Sequence, residues 1–134
     1  MTSVCRTSRN NSRGKVLKSE KLIKEIAAAA AEKKAEEIVI LTMKDVCSFT
    51  DFFVILTAGN PRQARAIAAD VRRQMKKAGC SPLHLEGEAR SDWILMDYLS
   101  VVVHIFSPAA RDFYRLEVLW KDAPRLEVTG VTAG

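Results

Sequence analysis

The side chains best suited to chemistry in this chain are a scatter of carboxylates, two histidines and three cysteines. A metal-dependent transferase or nuclease needs two or three clustered acids to hold Mg²⁺, which prefers oxygen ligands. Asp92 and Asp97 lie on one expected strand at odd spacing, so alternation points them to opposite faces, and Asp51 begins a different strand. No DxD pair is present. His84 and His104 fall on separate strands without the closely spaced ligand pairs of zinc sites, and a strand histidine is more often a hydrogen-bonded structural residue. Cys5, Cys47 and Cys80 make no CxxC pair, which argues against a zinc ribbon or a thioredoxin motif. The junction Thr57–Gln63 offers helix N-terminal N–H groups to an anion, but it lacks a Walker lysine and spaced glycines, and Pro61 removes one donor. A plainly capped helix start is the simpler reading. The sequence therefore predicts no catalytic residue, no metal site and no cofactor.

Recognition is the chemistry it does suggest. On one expected strand Trp93, Leu95 and Asp97 share a face, with Ile94, Met96 and Tyr98 opposite. On the next, Val102, His104 and Phe106 share a face, and Val101, Val103 and Ile105 form an aliphatic face that reads as core. An acid aligned with Trp and Leu is costly to bury unpaired, so Asp97 either meets a cation within the fold or marks the rim of a binding surface. In the last expected helix, Phe113, Leu116 and Trp120 form an apolar stripe, with Glu117 placed to pair with Lys121. A second helix carries Arg62, Arg65, Arg72 and Lys76 on one stripe, with Arg73 and Lys77 beside it. Such a stripe can follow nucleic-acid phosphates. Without interleaved aromatics it does not read bases, and most often it is the solvated back of an amphipathic helix.

The elements that must position these residues can be read in order. Ser19 is an expected N-cap for a helix whose apolar positions are Leu22, Ile23, Ile26, Ala27 and Ala30. IVILTM and DFFVILTA read as strands. Asn60 caps the second helix, Pro61 takes its first position, and Gln63 falls where a capping box places its reciprocal partner. Ala64, Ile67, Ala68, Val71 and Met75 are its apolar stripe, and Gly79 ends it. Three strands follow (PLHLEG, DWILMDY, SVVVHIF), then a last helix from Pro108 to about Lys121. The order predicts a single α/β/α sandwich with a mixed sheet of about five strands.

The chain has 134 residues, enough for one domain with a real core. Its net charge of +5 divides unevenly: residues 1–16 hold four basic residues and no acid, leaving 17 basic and 16 acidic residues for the body. Residues 1–16 are expected to form a basic tail, residues 17–123 the domain, and residues 124–134 a C-terminal tail. No apolar run approaches the ~20 residues of a membrane span, and nothing near the start has the hydrophobic region of a signal peptide.

Four ordered motifs carry a resemblance: SFTDFFVILTAGNPRQ, EGEARSDWILMDY, VVVHIF and RDFYRLEVLW. Over residues 19–123 the chain resembles the Iojap-like ribosomal silencing factors. The resemblance implies a nucleotidyltransferase-like fold without catalytic acids. It also implies a non-enzyme that binds ribosomal protein L-fourteen on the large ribosomal subunit and sterically blocks the small subunit, repressing translation under nutrient limitation. Some members are homodimers away from the ribosome. The partner-facing patch expected from it comprises Trp93, Asp97, Tyr98, His104, Phe106, Arg111, Tyr114 and Glu117, with Phe113 and Trp120 assigned to packing. Arg62, Arg65, Arg72 and Lys76 are the candidates for RNA contact. Leu99-Ser100 departs from the Gly-Asp or similar pair usual in the family. The expected location is the bacterial cytoplasm, with an organellar member as the alternative. The competing readings are a ribosome assembly factor that binds ribosomal RNA and, more remotely, a nucleotidyltransferase-like enzyme.

Overall fold

The structure, a computed structural model, describes residues 13–126 except Phe49 and Ser91, with side chains described from Lys21 onward. Helix α1 spans Arg13–Glu32, followed by β1 (Glu36–Thr42), β2 (Phe52–Thr57), α2 (Pro61–Lys77), β3 (His84–Glu86), β4 (Trp93–Asp97), β5 (Val101–Phe106), α3 (Pro108–Tyr114) and α4 (Leu116–Leu119). The five strands form one sheet in the order β1-β2-β5-β4-β3, with β2 and β5 parallel and the other neighbours antiparallel. This is the expected mixed α/β domain. Helices α1 and α2 cover one face of the sheet, and α3 and α4 lie on the other.

Alternation along the strands divides the core. Ile94, Met96, Tyr98, Val101, Val103 and Ile105 pack with Ile23, Ile26, Ile67, Val71 and Met75 beneath α1 and α2. Phe53, Ile55, Val102 and Phe106 pack with Ala110, Leu116 and Ala123 on the opposite face. β2 and β5 are buried along their whole length, as central strands covered on both sides must be.

The α2 start is built largely from local chemistry. Asn60 Oδ1 accepts from the Gln63 N–H at 2.8 Å, and Pro61 opens the helix. Gln63 returns its side chain not to Asn60 but to the Gly59 N–H at 2.6 Å. Its Nε2 donates to the carbonyls of Lys33 and Lys34, both at 2.9 Å, just beyond the end of α1. One capping side chain thus also fastens the turn between α1 and the sheet.

Three boundaries differ from the sequence reading. α1 begins at Arg13, so Arg13–Val16 are helical and Ser19 lies inside the helix rather than capping it. Pro124–Leu126, read as tail, run along the edge of β1: Thr42 N–H donates to the Pro124 carbonyl at 2.7 Å and Leu126 N–H to that of Ile40 at 2.9 Å. The rest of the two expected tails lies outside the described residues. The last helix is broken, because Arg115 adopts a left-handed conformation (φ 49°) that ends α3 and starts α4. Leu99 turns the chain between β4 and β5 with φ 74°. The Ser100 N–H donates to the Tyr98 carbonyl at 2.9 Å, which makes the turn a γ-turn with positive φ, a conformation strained for any residue with a Cβ.

Candidate functional site

The break at Arg115 shapes the surface over β4 and β5. Ser107 caps α3, its Oγ accepting from the Ala110 N–H at 3.1 Å, and Pro108 sits at the first helical position. Seven residues later the chain turns left-handed, Leu116 drops into the core, and the helix restarts in a new direction. Had the helix continued, Phe113 would share a buried stripe with Leu116 and Trp120. Instead Phe113 is 78% exposed, and Val118 and Leu119 stand 61% and 68% exposed beside the 45%-exposed Tyr114. The assignment of Phe113 to packing is therefore corrected. All four are exposed apolar residues of α3 and α4, with the Phe113 and Tyr114 rings 5.0 Å apart, and exposed Asp112, Arg115, Lys121 and Asp122 lie on or beside the same two helices.

Beneath the patch lies an aromatic layer. The Tyr114 ring sits 4.5 Å from that of Trp93, which lies 5.1 Å from Phe106. Phe53 meets His104 edge-on at 4.6 Å and Trp120 at 6.1 Å. Trp93 Nε1–H donates to His104 Nδ1 at 3.1 Å, so the neutral imidazole carries its proton on Nε2. Burial pushes the His104 pKa down to about 3. His104 is a neutral structural acceptor that fixes the Trp93 indole, in line with the plainer of its two readings.

Arg111 and Glu117 hold the two short helices together. Arg111 Nε donates to both Glu117 carboxylate oxygens, at 3.3 and 3.1 Å, Nη2 closes the fork, and Nη1 reaches Thr57 Oγ1 at the end of β2 at 2.9 Å. Burial raises the Glu117 pKa, but the bond and charge of Arg111 outweigh it and hold the carboxyl below its ordinary value. The expected Glu117–Lys121 pair is thus replaced by a pair with Arg111, which the broken helix brings within reach. The groove alongside, lined by Glu37, Arg111, Asp112, Arg115, Glu117 and Arg125, balances three cations against three anions.

The residues expected at the partner-facing patch therefore separate into two groups, with Tyr98 and Asp97 apart from both. Trp93, Arg111, Tyr114 and Glu117 gather with the exposed patch on the α3–α4 face. His104 and Phe106 lie on that face but are buried, and act as its support. Tyr98 belongs to neither group. It faces the opposite side of the sheet, 1% exposed beneath α1 and α2, and burial pushes its pKa up to about 12. Its place at a partner surface is corrected, because alternation groups it with Ile94 and Met96. Asp97 sits half-buried at the far end of β4, where Oδ1 accepts the Leu99 N–H at 2.8 Å and braces the γ-turn. The acid aligned with Trp93 and Leu95 thus meets a backbone N–H rather than the expected cation. Phe113, Val118 and Leu119 are the surface residues that sequence reasoning missed. No glycine or proline marks Arg115, so no local signal announced the break.

Arg62, Arg65, Arg72 and Lys76 are all exposed along α2, on the far side of the sheet from this patch. Among the described residues no group of three or more His, Cys, Asp or Glu side chains could hold a metal ion. Among them, too, no helix is long and apolar enough to cross a membrane.

What the fold and face define is a single mixed α/β domain whose most distinctive surface is an exposed apolar helical edge. The chain matches the family model described as ribosomal silencing factor during starvation over residues 16–134, and it belongs to that family. It is 36% identical over 115 residues to the ribosomal silencing factor RsfS of Halalkalibacterium halodurans, covering 86% of this chain and 98% of that one. It is also 36% identical over 108 residues to the chloroplastic protein Iojap of Zea mays, covering 77% of this chain and 45% of that protein. A mouse protein named mitochondrial assembly of ribosomal large subunit protein 1 is 28% identical over 92 residues, covering 66% of this chain and 40% of that protein. A crystal structure from Bacillus halodurans superposes with a TM-score of 0.71 at 35% identity, covering 81% of this chain and 98% of that one.

Proposed function

We propose that this chain binds ribosomal protein L-fourteen on the large ribosomal subunit through its α3–α4 face, and so keeps the small subunit from joining. The observation that carries this reading is the exposed apolar set Phe113, Tyr114, Val118 and Leu119 on α3 and α4, of which Tyr114 packs on the fixed Trp93 indole. Protein interfaces centre on desolvated aromatic and aliphatic anchors with a polar rim, and this face supplies both. Membership of a ribosomal silencing family supports the ribosome as the target, and the name of the mouse relative points to the large subunit. Occlusion needs no chemistry. A domain of about 100 residues has a radius of gyration of about 13 Å, so one seated on a joining surface stands on the order of 30 Å above it. Acting in the bacterial cytoplasm, such a chain would damp translation when nutrients are short.

The test is binding to isolated ribosomal protein L-fourteen. Burying an exposed Phe or Leu fully contributes roughly 1.5–3 kcal/mol, so Phe113→Ala and Leu119→Ala should each weaken Kd by about 10- to 100-fold. Both side chains are mostly exposed, so folding should be unaffected. Unchanged affinity in the double variant would sink the assignment of the face.

A further inference from the structure

The near-neutral body of this chain conceals a division of charge. α1 from Lys21 onward, the Lys33–Lys34 turn and α2 together hold ten basic and three acidic residues, a formal net of +7. The remaining described side chains hold six basic and eleven acidic residues, a net of −5. α1 and α2 pack side by side on one face of the sheet, and all ten of those basic side chains are exposed. Of the three acids, Asp70 is buried and already engaged by Arg73 and, from the end of α1, by Lys33 at 3.9 Å. The excess charge therefore lies on one outer layer, with the α3–α4 patch on the opposite side of the sheet.

We propose that the α1–α2 layer is a second binding surface, one that takes the phosphate backbone of RNA without reading its sequence. Charge complementarity selects a polyanion. Among the residues with described side chains, none of the exposed large hydrophobics (Leu83, Phe113, Tyr114, Val118 and Leu119) lies on α1 or α2. A membrane-seated amphipathic helix needs apolar side chains to insert, and a protein interface needs anchors, so this layer suits neither. It also lacks aromatic side chains for base stacking, which leaves phosphates as its target. α2 alone, at 17 residues, presents its cations over about 25 Å, long enough to meet several successive phosphates. The surface stands on the charge distribution and not on the α3–α4 docking reading. If that reading also holds, one face grips a protein while the other is available to RNA.

The experiment is fluorescence anisotropy with a labelled 20-base-pair RNA duplex of arbitrary sequence, titrated at 50 to 200 mM KCl. Four phosphate contacts predict a log–log salt slope of roughly −3, so affinity should fall by about 50- to 150-fold across that range. The variant Arg62→Gln/Arg65→Gln/Arg72→Gln/Lys76→Gln should flatten the slope to about −1 or less while its thermal unfolding is unchanged. The Phe113→Ala/Leu119→Ala variant should bind the duplex as the unaltered chain does, so failure of this proposal and failure of the docking reading are seen separately. The proposal is overturned if the duplex is not bound at 50 mM, or if the quadruple variant keeps the original slope. Equal or tighter binding to polyglutamate or to phosphatidylserine vesicles would also overturn it, assigning the layer to an acidic protein or a membrane.

Discussion

The neutral imidazole under Trp93 makes stability depend on pH in a way that can be worked out. His104 has a folded pKa of about 3 against an ordinary value of 6.5, the shift arising from burial. In the unfolded chain the ring picks up a proton as pH falls through about 6.5, while in the folded chain it stays neutral until pH nears 3. The unfolded state thus binds more protons throughout that window. The contribution is complete above pH 6.5 and is lost progressively as pH falls towards 3. Between pH 6.5, where the unfolded ring is half protonated, and pH 4.5 the loss is about 2.3 kcal/mol. Protonation would also replace the Nδ1 acceptor by a second N–H facing the Trp93 donor, so the geometry and the pKa agree in direction. The assay is urea unfolding of the unaltered chain and of His104→Gln from pH 7 to 4.5. The amide keeps an acceptor for Trp93 but does not titrate, so subtracting the variant removes the carboxylates' share. The stability advantage of the unaltered chain should shrink by about 2–3 kcal/mol on acidification. An advantage that stays flat across this range would show that His104 is charged or solvated when folded, and would refute the argument.

Three further outcomes follow from backbone and pair geometry. A Cβ on Gly87, at φ +89°, would lie 1.9 Å from the Trp93 carbonyl oxygen, so Gly87→Ala should destabilise by more than about 3 kcal/mol in denaturant titration. Leu99→Gly should instead stabilise by about 0.5–1 kcal/mol, because relief of the positive φ exceeds the entropy glycine adds to the unfolded chain. Arg111→Met should cost roughly 1–3 kcal/mol by leaving the part-buried Glu117 unpaired, and should raise the Glu117 pKa as measured by NMR titration.

Local chemistry was the legible part of this fold. Asn60, Pro61 and Gly79 announce α2 because caps and breakers act within a few residues. The two faces of β4 and β5 follow from alternation alone, and that alternation already groups Tyr98 with the core. The γ-turn explains the departure at Leu99-Ser100: a glycine there would adopt the positive φ without strain, whereas this chain uses Leu99 and braces it with Asp97. The break at Arg115 could not be read. It is held by the burial of Leu116 and by the fork between Arg111 and Glu117, contacts that exist only once the helices sit on the sheet. Its consequence, the exposure of Phe113, Val118 and Leu119, was hidden with it. The basic stripe of α2 was legible, but its union with the lysines of α1 on one face was not, because net charge along a sequence does not say which segments share a face.

The central claim is that the α3–α4 face holds the chain on the large subunit and thereby prevents joining. The most direct measurement is sucrose-gradient sedimentation of purified large and small subunits at joining conditions, with the unaltered chain or the Phe113→Ala/Leu119→Ala variant added. The account predicts that the unaltered chain sediments with large subunits and reduces the joined-ribosome peak, and that the variant does neither at equal concentration. Joined ribosomes forming in full with the unaltered chain still bound to their large subunits would contradict it.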